Sequence, residues 1–594
     1  MTKKSNNKLS ILIVLIILLI ALAVVSRLND DAIEDPLLDA GISSDTFYLP
    51  VIETTDIHGY MIDISSGIED SYQYRLAYIA NEIDTLRKEG DILLLDTGDC
   101  YQGNVLSNKL DGSLVRAYLD TMDYDAICLG NHEFDWGLEK VLDPDGTIAS
   151  YEVGDSLCDG GNTAGSDSNV NTSGNYGNFI SGDGDTPVVC WNIYFKDSGK
   201  KIPQTQDYVI VDKLAKSPSG ETLPVKVAIF GYINDYSSSI NKPLIEDYEI
   251  HEEDIKDIES TARELEGSGK TDISVINCHI PPEEMNELFK GDSVIDLVAC
   301  GHSHKKDTGI FDNGVPYILG GCYAGTYATA TIAIGSNHEV TVDNQSLVSV
   351  TQKRSKLYDT PENQSFLNKT ILDISHAAIN EVNEKFPTIM QQLGYIDTNI
   401  SQDRLDGSIR EDIATTWAAS MMANAVGADV GITNSTGIRC GFELQKGESL
   451  HYITGADIYT MFPFSNYIMK YQISYEHLYK ICTKTRVNDH TYLGISNVTA
   501  YYEDGNDNKL TTLYVGDVKV YDNGWVKSKD TPVTVATNDY LSHFDSLGLE
   551  NLTPINDYKN VIDNACIIDY LSTNYGPSQK IPVDTSVHLH NSVE

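Results

Sequence analysis

The chain has 594 residues, 42 of them basic against 87 acidic, for a formal net charge of −45. That length exceeds a single core and predicts about two to four domains, and an ordinary balance of apolar and charged residues excludes a wholly disordered chain. So acidic a surface repels polyanions and excludes long nucleic acid as a partner; small anions remain admissible where metal ions or a few arginines invert the local field.

Lys3, Lys4 and Lys8 precede an apolar run from Leu9 to Val25. The run is slightly shorter than a comfortable span of ~20 residues. It is longer than a usual signal core, and Val24-Val25-Ser26-Arg27 offers no small-x-small cleavage site. Residues 1–30 are expected to form an uncleaved membrane anchor with its N-terminus inside, a secretory signal being the alternative. Either reading places the body outside the cytoplasm. Of the ten cysteines, Cys128, Cys190, Cys278, Cys300 and Cys322 sit in strand-like runs or beside candidate ligands, which predicts few disulfides or none.

From about Thr46 to Val350 strand, loop and helix alternate. Helical apolar spacing over Arg75–Glu89 and Ser113–Met122 predicts a layered α/β domain over residues 46–350. Residues 154–187 break the rhythm with Gly, Asn, Ser and Asp and read as an inserted solvated loop. Its Asp-Gly-Asp pieces lack the twelve-residue calcium loop with a closing Glu. An amphipathic helix over residues 361–386, capped by Thr360-Pro361 and ended by Pro387, makes 351–387 a linker to a second α/β domain, 388–594.

Five apolar runs in the first domain end in the same kinds of side chain. Val51–Thr55 leads to Asp56 and His58; Ile92–Gly98 to Asp99; Asp125–Gly130 to Asn131, His132, Glu133 and Asp135; Ile273–Cys278 to His279; and Val294–Gly301 to His302 and His304. Ligands gather beyond the carboxyl ends of strands in α/β sheets, so five such ends can share one crevice. Asp, His and Asn supply the oxygen and nitrogen ligands that suit zinc, manganese or iron, and two such ions suit in-line displacement at phosphorus. Asp96 and Glu133 read as structural carboxylates that cap turns.

In that order the motifs resemble the calcineurin-like metallophosphoesterase superfamily, and Asn131-His132-Glu133-Phe134-Asp135-Trp136-Gly137 resembles the form used by its 5'-nucleotidase branch. The resemblance implies a four-layer αββα sandwich. It puts Asp56, His58, Asp99 and His304 on one divalent ion and Asp99, Asn131, His279 and His302 on the other. His132 would face the substrate phosphate or protonate the leaving oxygen, with Asp135 orienting its ring. His279-Ile280-Pro281-Pro282 departs from the family, which usually has a glycine soon after the histidine.

Residues 428–439, ending Thr433-Asn434-Ser435-Thr436-Gly437-Ile438-Arg439, resemble the signature of the 5'-nucleotidase C-terminal domain, and Gly455–Asn466 resembles its second motif. The resemblance implies substrate binding by Arg404, Asn434 and Arg439, with Arg410 standing in for a family arginine that falls near Ser408. It implies a nucleotide base held between Phe464 and Tyr540, with Asp545 at a ribose or base edge, although His543-Phe544 replaces the family's glycines there.

The expectation is therefore an extracytoplasmic enzyme with two divalent ions (Zn, Mn or Fe). It would release phosphate from a small nucleotide by attack of a metal-bridging hydroxide. The alternatives are a 2',3'-cyclic-nucleotide phosphodiesterase with 3'-nucleotidase activity, a nucleotide-sugar hydrolase and, remotely, a non-catalytic surface binding protein.

Overall fold

The computed structural model describes residues 46–64, 72–141, 186–236, 240, 242–335, 338–350, 366–408, 410–444, 449–484, 491–503, 506–555 and 561–592. The apolar run at 9–25 and all but the last two residues of the inserted loop at 154–187 lie outside these. Among the described residues no helix is long and apolar enough to cross a membrane. All nine described cysteines are free thiols.

Strand periodicity explains the layering of the first domain, because alternate side chains must find different partners. In the strand Thr46–Thr54, Leu49 and Val51 enter a core between two sheet regions, while Ile52 enters the core under the helices Arg75–Glu89 and Ser113–Met122. Leu93 and Leu95 divide from Leu94 in the same way. On the other side Val227, Ile229 and Val275 share the inner core, whereas Ala228, Phe230 and Ile276 pack on Ile258, Ala262 and Leu265 of the helix Ile255–Gly267. Helix, sheet, sheet and helix follow one another, the αββα sandwich that the motif resemblance implies.

The strands that carry the motifs run parallel in two groups. Thr46–Thr54 pairs with Leu93–Asp96, and that strand with Ala126–Cys128. Thr222–Ile233 pairs with Ile273–His279, and that one with Leu297–Ala299. Parallel neighbours end on the same side, so both groups present their carboxyl ends to one crevice.

The spacing-predicted linker helix runs over Phe366–Lys385. It lies against the first domain: the Ser375 hydroxyl bonds that of Tyr118, and His376 Nε2 is 3.1 Å from the Tyr74 hydroxyl. Its buried residues Ile371, Ile374 and Ala378 belong to one apolar cluster that also holds Tyr118 and, from the second domain, Trp417, Ile438 and Phe462. In the second domain, helix Ile413–Val426 is opened by Asp412, whose carboxylate accepts the Thr415 N–H at 2.7 Å, and closed by left-handed Gly427. It packs over a four-stranded sheet in the order Ile468–Ser474, Pro532–Asn538, Val430–Asn434, Leu493–Ser496.

Candidate metal and substrate site

Beyond the strand ends the loops continue to bond one another. Asp56 N–H donates to Gly98 O at 2.9 Å and His58 N–H to Asp99 O at 2.8 Å. Glu133 accepts the backbone N–H groups of Asp99, Cys100 and Gly130 at 2.6–2.8 Å, tying the second and third motifs together. Asp96 accepts from Gly98 N–H at 2.9 Å and from the Thr54 hydroxyl at 2.6 Å. The two carboxylates that the sequence marks as structural are thus occupied by backbone and hydroxyl groups. Gly130 has a steric reason to be glycine: a Cβ there would stand 2.2 Å from Asp99 Oδ1.

The seven candidate ligands converge. Ligand atoms of Asp56, His58 and His304 lie within 4.8 Å of one another, as do those of Asp99, His279 and His302, and those of His58, Asp99 and His132. Asn131 Oδ1 is 2.9 Å from His302 Nδ1. Asp56, His58, Asp99, His302 and His304 all have positive φ, between 49° and 72°. That conformation is uncommon for residues with a Cβ and is held only where the surroundings over-determine it.

The donor set fits cations. His58 Nδ1 is 2.8 Å from Gln102 O and His279 Nδ1 is 2.8 Å from Thr97 O. A carbonyl oxygen only accepts, so each Nδ1 carries a proton and each Nε2 is the nitrogen turned to the cluster. His279 Nε2 lies 3.1 Å from Asp99 Oδ2, and Asp56 Oδ1 lies 3.4 Å from His304 Nε2, so the imidazoles and carboxylates of the cluster face one another. Burial works against a charge on His279, but the Asp99 carboxylate, by charge and hydrogen bond, and then Asp56 push its pKa up to about 10. A pocket that draws positive charge this strongly suits a divalent ion.

His132 and Asp135 stand beside the cluster. His132 Nδ1 is 2.7 Å from Asp135 Oδ2, and the His132 N–H donates to Asp99 Oδ1 at 2.8 Å. Burial opposes the charged ring, yet Asp135 and then Asp99 outweigh it and raise the pKa of His132.

The second domain closes the site. The strand Val430–Asn434 ends in a 3-10 turn, Ser435–Gly437, which aims Arg439 at the cluster. Its Nη2 is 3.5 Å from His58 Nε2 and its guanidinium lies 5.5 Å from the Phe464 ring centre. Phe464 itself is 5.3 Å from the His132 ring. Burial first, and then the Asp135 carboxylate, hold the Tyr540 phenol up at about 12. Asn434 Oδ1 accepts from Asn538 at 2.9 Å, and its amide nitrogen is 3.1 Å from the Thr436 hydroxyl.

Two arginines stand differently. Arg404 is exposed and donates to the Ser408 carbonyl at 2.8 Å, and Arg410 is half-buried near it. Among the described residues no contact of Arg404 with the histidine cluster is seen. Asp545 opens a short 3-10 turn, Asp545–Leu547.

Sequence reading missed the aromatic walls. Tyr236 stacks on His302 with ring centres 3.8 Å apart, and Tyr323 lies 5.6 Å from His58 and 5.2 Å from His304. The glycine-rich stretch Gly320-Gly321-Cys322-Tyr323-Ala324-Gly325 was the available signal for Tyr323. The departing pair Pro281-Pro282 proves benign: it opens the helix Pro282–Leu288 with proline in its first turn.

Fold and site together define a layered α/β phosphoesterase. Residues 49–306 match the family described as calcineurin-like phosphoesterase, and residues 392–547 match the 5'-nucleotidase C-terminal domain. The chain belongs to the bifunctional 5'-nucleotidase family, in which these two domains follow one another.

It is similar to a snake venom 5'-nucleotidase of Crotalus adamanteus, 40% identical over 109 residues, which are 17% of this chain and 18% of that protein. It is 24% identical over 465 residues to the trifunctional nucleotide phosphoesterase protein YfkN of Bacillus subtilis, covering 74% of this chain and 27% of that one. The match spans about a fifth of the length of several such 5'-nucleotidases. The crystal structure of a 5'-nucleotidase precursor from Thermus thermophilus shares the fold with a TM-score of 0.64 at 16% identity, covering 92% of this chain and all of that one.

Proposed function

We propose that the protein is a divalent-metal-dependent nucleotide phosphohydrolase of 5'-nucleotidase type, in which the first domain (46–350) cleaves and the second (388–594) recognises. One observation carries this reading: Arg439 and Phe464 of the second domain touch His58 and His132 within the convergent ligand cluster of the first. A cation and an aromatic face set beside a two-ion site suit an anionic phosphate with a base attached.

Asp56, His58, Asp99 and His304 would hold one ion and Asp99, Asn131, His279 and His302 the other, with Asp99 shared. Bound there, two ions supply Lewis acidity: they acidify water and offset the charge of phosphate oxygens. Asp135 fixes the His132 ring through Nδ1, which leaves Nε2 to face a phosphate oxygen or hand a proton to the leaving group. Among the described residues Arg439 has no carboxylate in ion-pair contact and is available to an anion, with Arg404, Arg410 and Asn434 elsewhere in the same domain. Phe464 and Tyr540 offer the base two aromatic faces, with Asp545 following. The apolar run at 9–25, with lysines before it and acidic residues after, supports an anchored, extracytoplasmic location.

The test is phosphate release by the full chain with added Mn²⁺ or Zn²⁺ from AMP, 3'-AMP, 2',3'-cyclic AMP and a UDP-sugar, side by side. AMP as the best substrate supports the reading. Preference for the cyclic or sugar nucleotide moves it to the alternatives. Inertness on all four with two ions bound overturns catalysis.

A further inference from the structure

Arg75 is the first residue of the helix Arg75–Glu89, whose first turn contains no acidic side chain. A cation at a helix N-terminus has the wrong sign for the backbone dipole, so its place needs another reason. Its guanidinium supplies one. Nη2 pairs with Asp63 Oδ2 at 2.6 Å, and Nη1 donates to the backbone carbonyl of Tyr323 at 2.8 Å.

The segment it holds is strained. Gly321, Tyr323 and Ala324 all have positive φ, at 93°, 57° and 49°. The Tyr323 N–H donates to the carbonyl of Asp56 at 2.8 Å, so both peptide groups of Tyr323 are tied, one to a candidate ligand and one to Arg75. Its ring then walls His58 and His304 and lies 4.7 Å from the Tyr60 ring at a tilt of 54°, and the Arg75 guanidinium also lies over Tyr60 at 5.9 Å. Among the described residues the candidate ligands that this clamp contacts are Asp56, His58 and His304, and the second group is reached only through Asp56, whose Oδ2 accepts the His302 N–H at 3.0 Å.

We propose that Arg75 is a positioning residue for one half of the centre: paired with Asp63, it locks the left-handed Tyr323 segment on the Asp56 loop and so sets His58 and His304 for their ion. The inference rests on the two-ion reading of the site. Outer-shell partners of metal ligands are typically worth about 10–100-fold in affinity.

The experiment is a Mn²⁺ titration of the metal-stripped full chain, with melting temperature followed in parallel. Wild type is expected to bind two Mn²⁺. Arg75→Met is expected to weaken one site by about 10–100-fold and leave the other unchanged, with Arg75→Lys between, since a single ammonium cannot hold both partners in the fork geometry. Where Arg75→Met does not fold, Asp63→Asn unbinds the guanidinium without opening a cavity and weakens the same site. Two unchanged sites in a folded variant, or both weakened alike, overturn the proposal. Failure of wild type to take up two Mn²⁺ instead removes the two-ion reading and this inference with it.

Discussion

Arg439 Nη2 lies 3.5 Å from His58 Nε2, joining residues 381 positions apart and from different domains. The guanidinium meets an imidazole and the face of Phe464 rather than a carboxylate. A cation set among the candidate ligands with no ion pair among the described residues is poised for an anion from outside.

Arg439→Ala is therefore expected to raise KM for a nucleotide substrate about 10–100-fold, the worth of one hydrogen bond to a charged group. Arg439→Lys should recover little, because the fork geometry is lost. Metal content should stay at the wild-type value. Steady-state kinetics beside metal analysis check this, and a variant with unchanged KM would remove Arg439 from substrate binding.

His132 touches the cluster through its backbone N–H while its ring is tied to Asp135. His132→Ala should lower kcat by about 10²–10⁴-fold with both ions retained. Asp135→Asn should lower kcat more than it changes KM, since the contact of Asp135 at the site is with the ring it orients. Loss of an ion in His132→Ala would instead make His132 a ligand.

The five strand-end motifs were legible because each is local: an apolar run fixes the strand, and the polar residues that follow have nowhere to go but its carboxyl end. The helices Arg75–Glu89 and Ser113–Met122 follow their apolar spacing for the same reason. What could not be read is what depends on contact across the chain. Nothing near Tyr236 says that it stacks on His302, and nothing near Arg75 announces Tyr323, 248 positions later. Five ligands in left-handed backbone are likewise a result of the inter-loop ladder that holds them, which no local preference encodes.

Gly130 offers a steric test of that ladder. A methyl group at this position would meet Asp99 Oδ1 at 2.2 Å and the Asp99 nitrogen at 2.6 Å, so Asp99 must move. Asp99 is the carboxylate common to both candidate ion sites. Gly130→Ala should then weaken both ions together, unlike the one-sided effect expected at Arg75, and activity should fall with them. Mn²⁺ titration distinguishes the two patterns; an unperturbed titration would mean that the loop yields without moving Asp99.

Asp296 gives a prediction about stability that does not involve the site. Burial pushes its carboxyl up to about 7, against the Ser274 N–H that donates to Oδ2 at 2.9 Å and with the charge of Glu266 adding to the rise. An unfolded aspartate titrates near about 3.9. Between those values the folded chain binds more protons than the unfolded one, so this group lowers stability as pH rises from about 4 through about 7, and the loss is complete above. Asp296→Asn cannot ionise and keeps an oxygen for the Ser274 N–H. Its melting temperature relative to wild type should therefore be higher at pH 8 than at pH 4.5. The metal ligands titrate alike in both proteins and cancel in that difference, so a difference that did not vary with pH would mean that Asp296 titrates in the folded protein as it does in the unfolded chain.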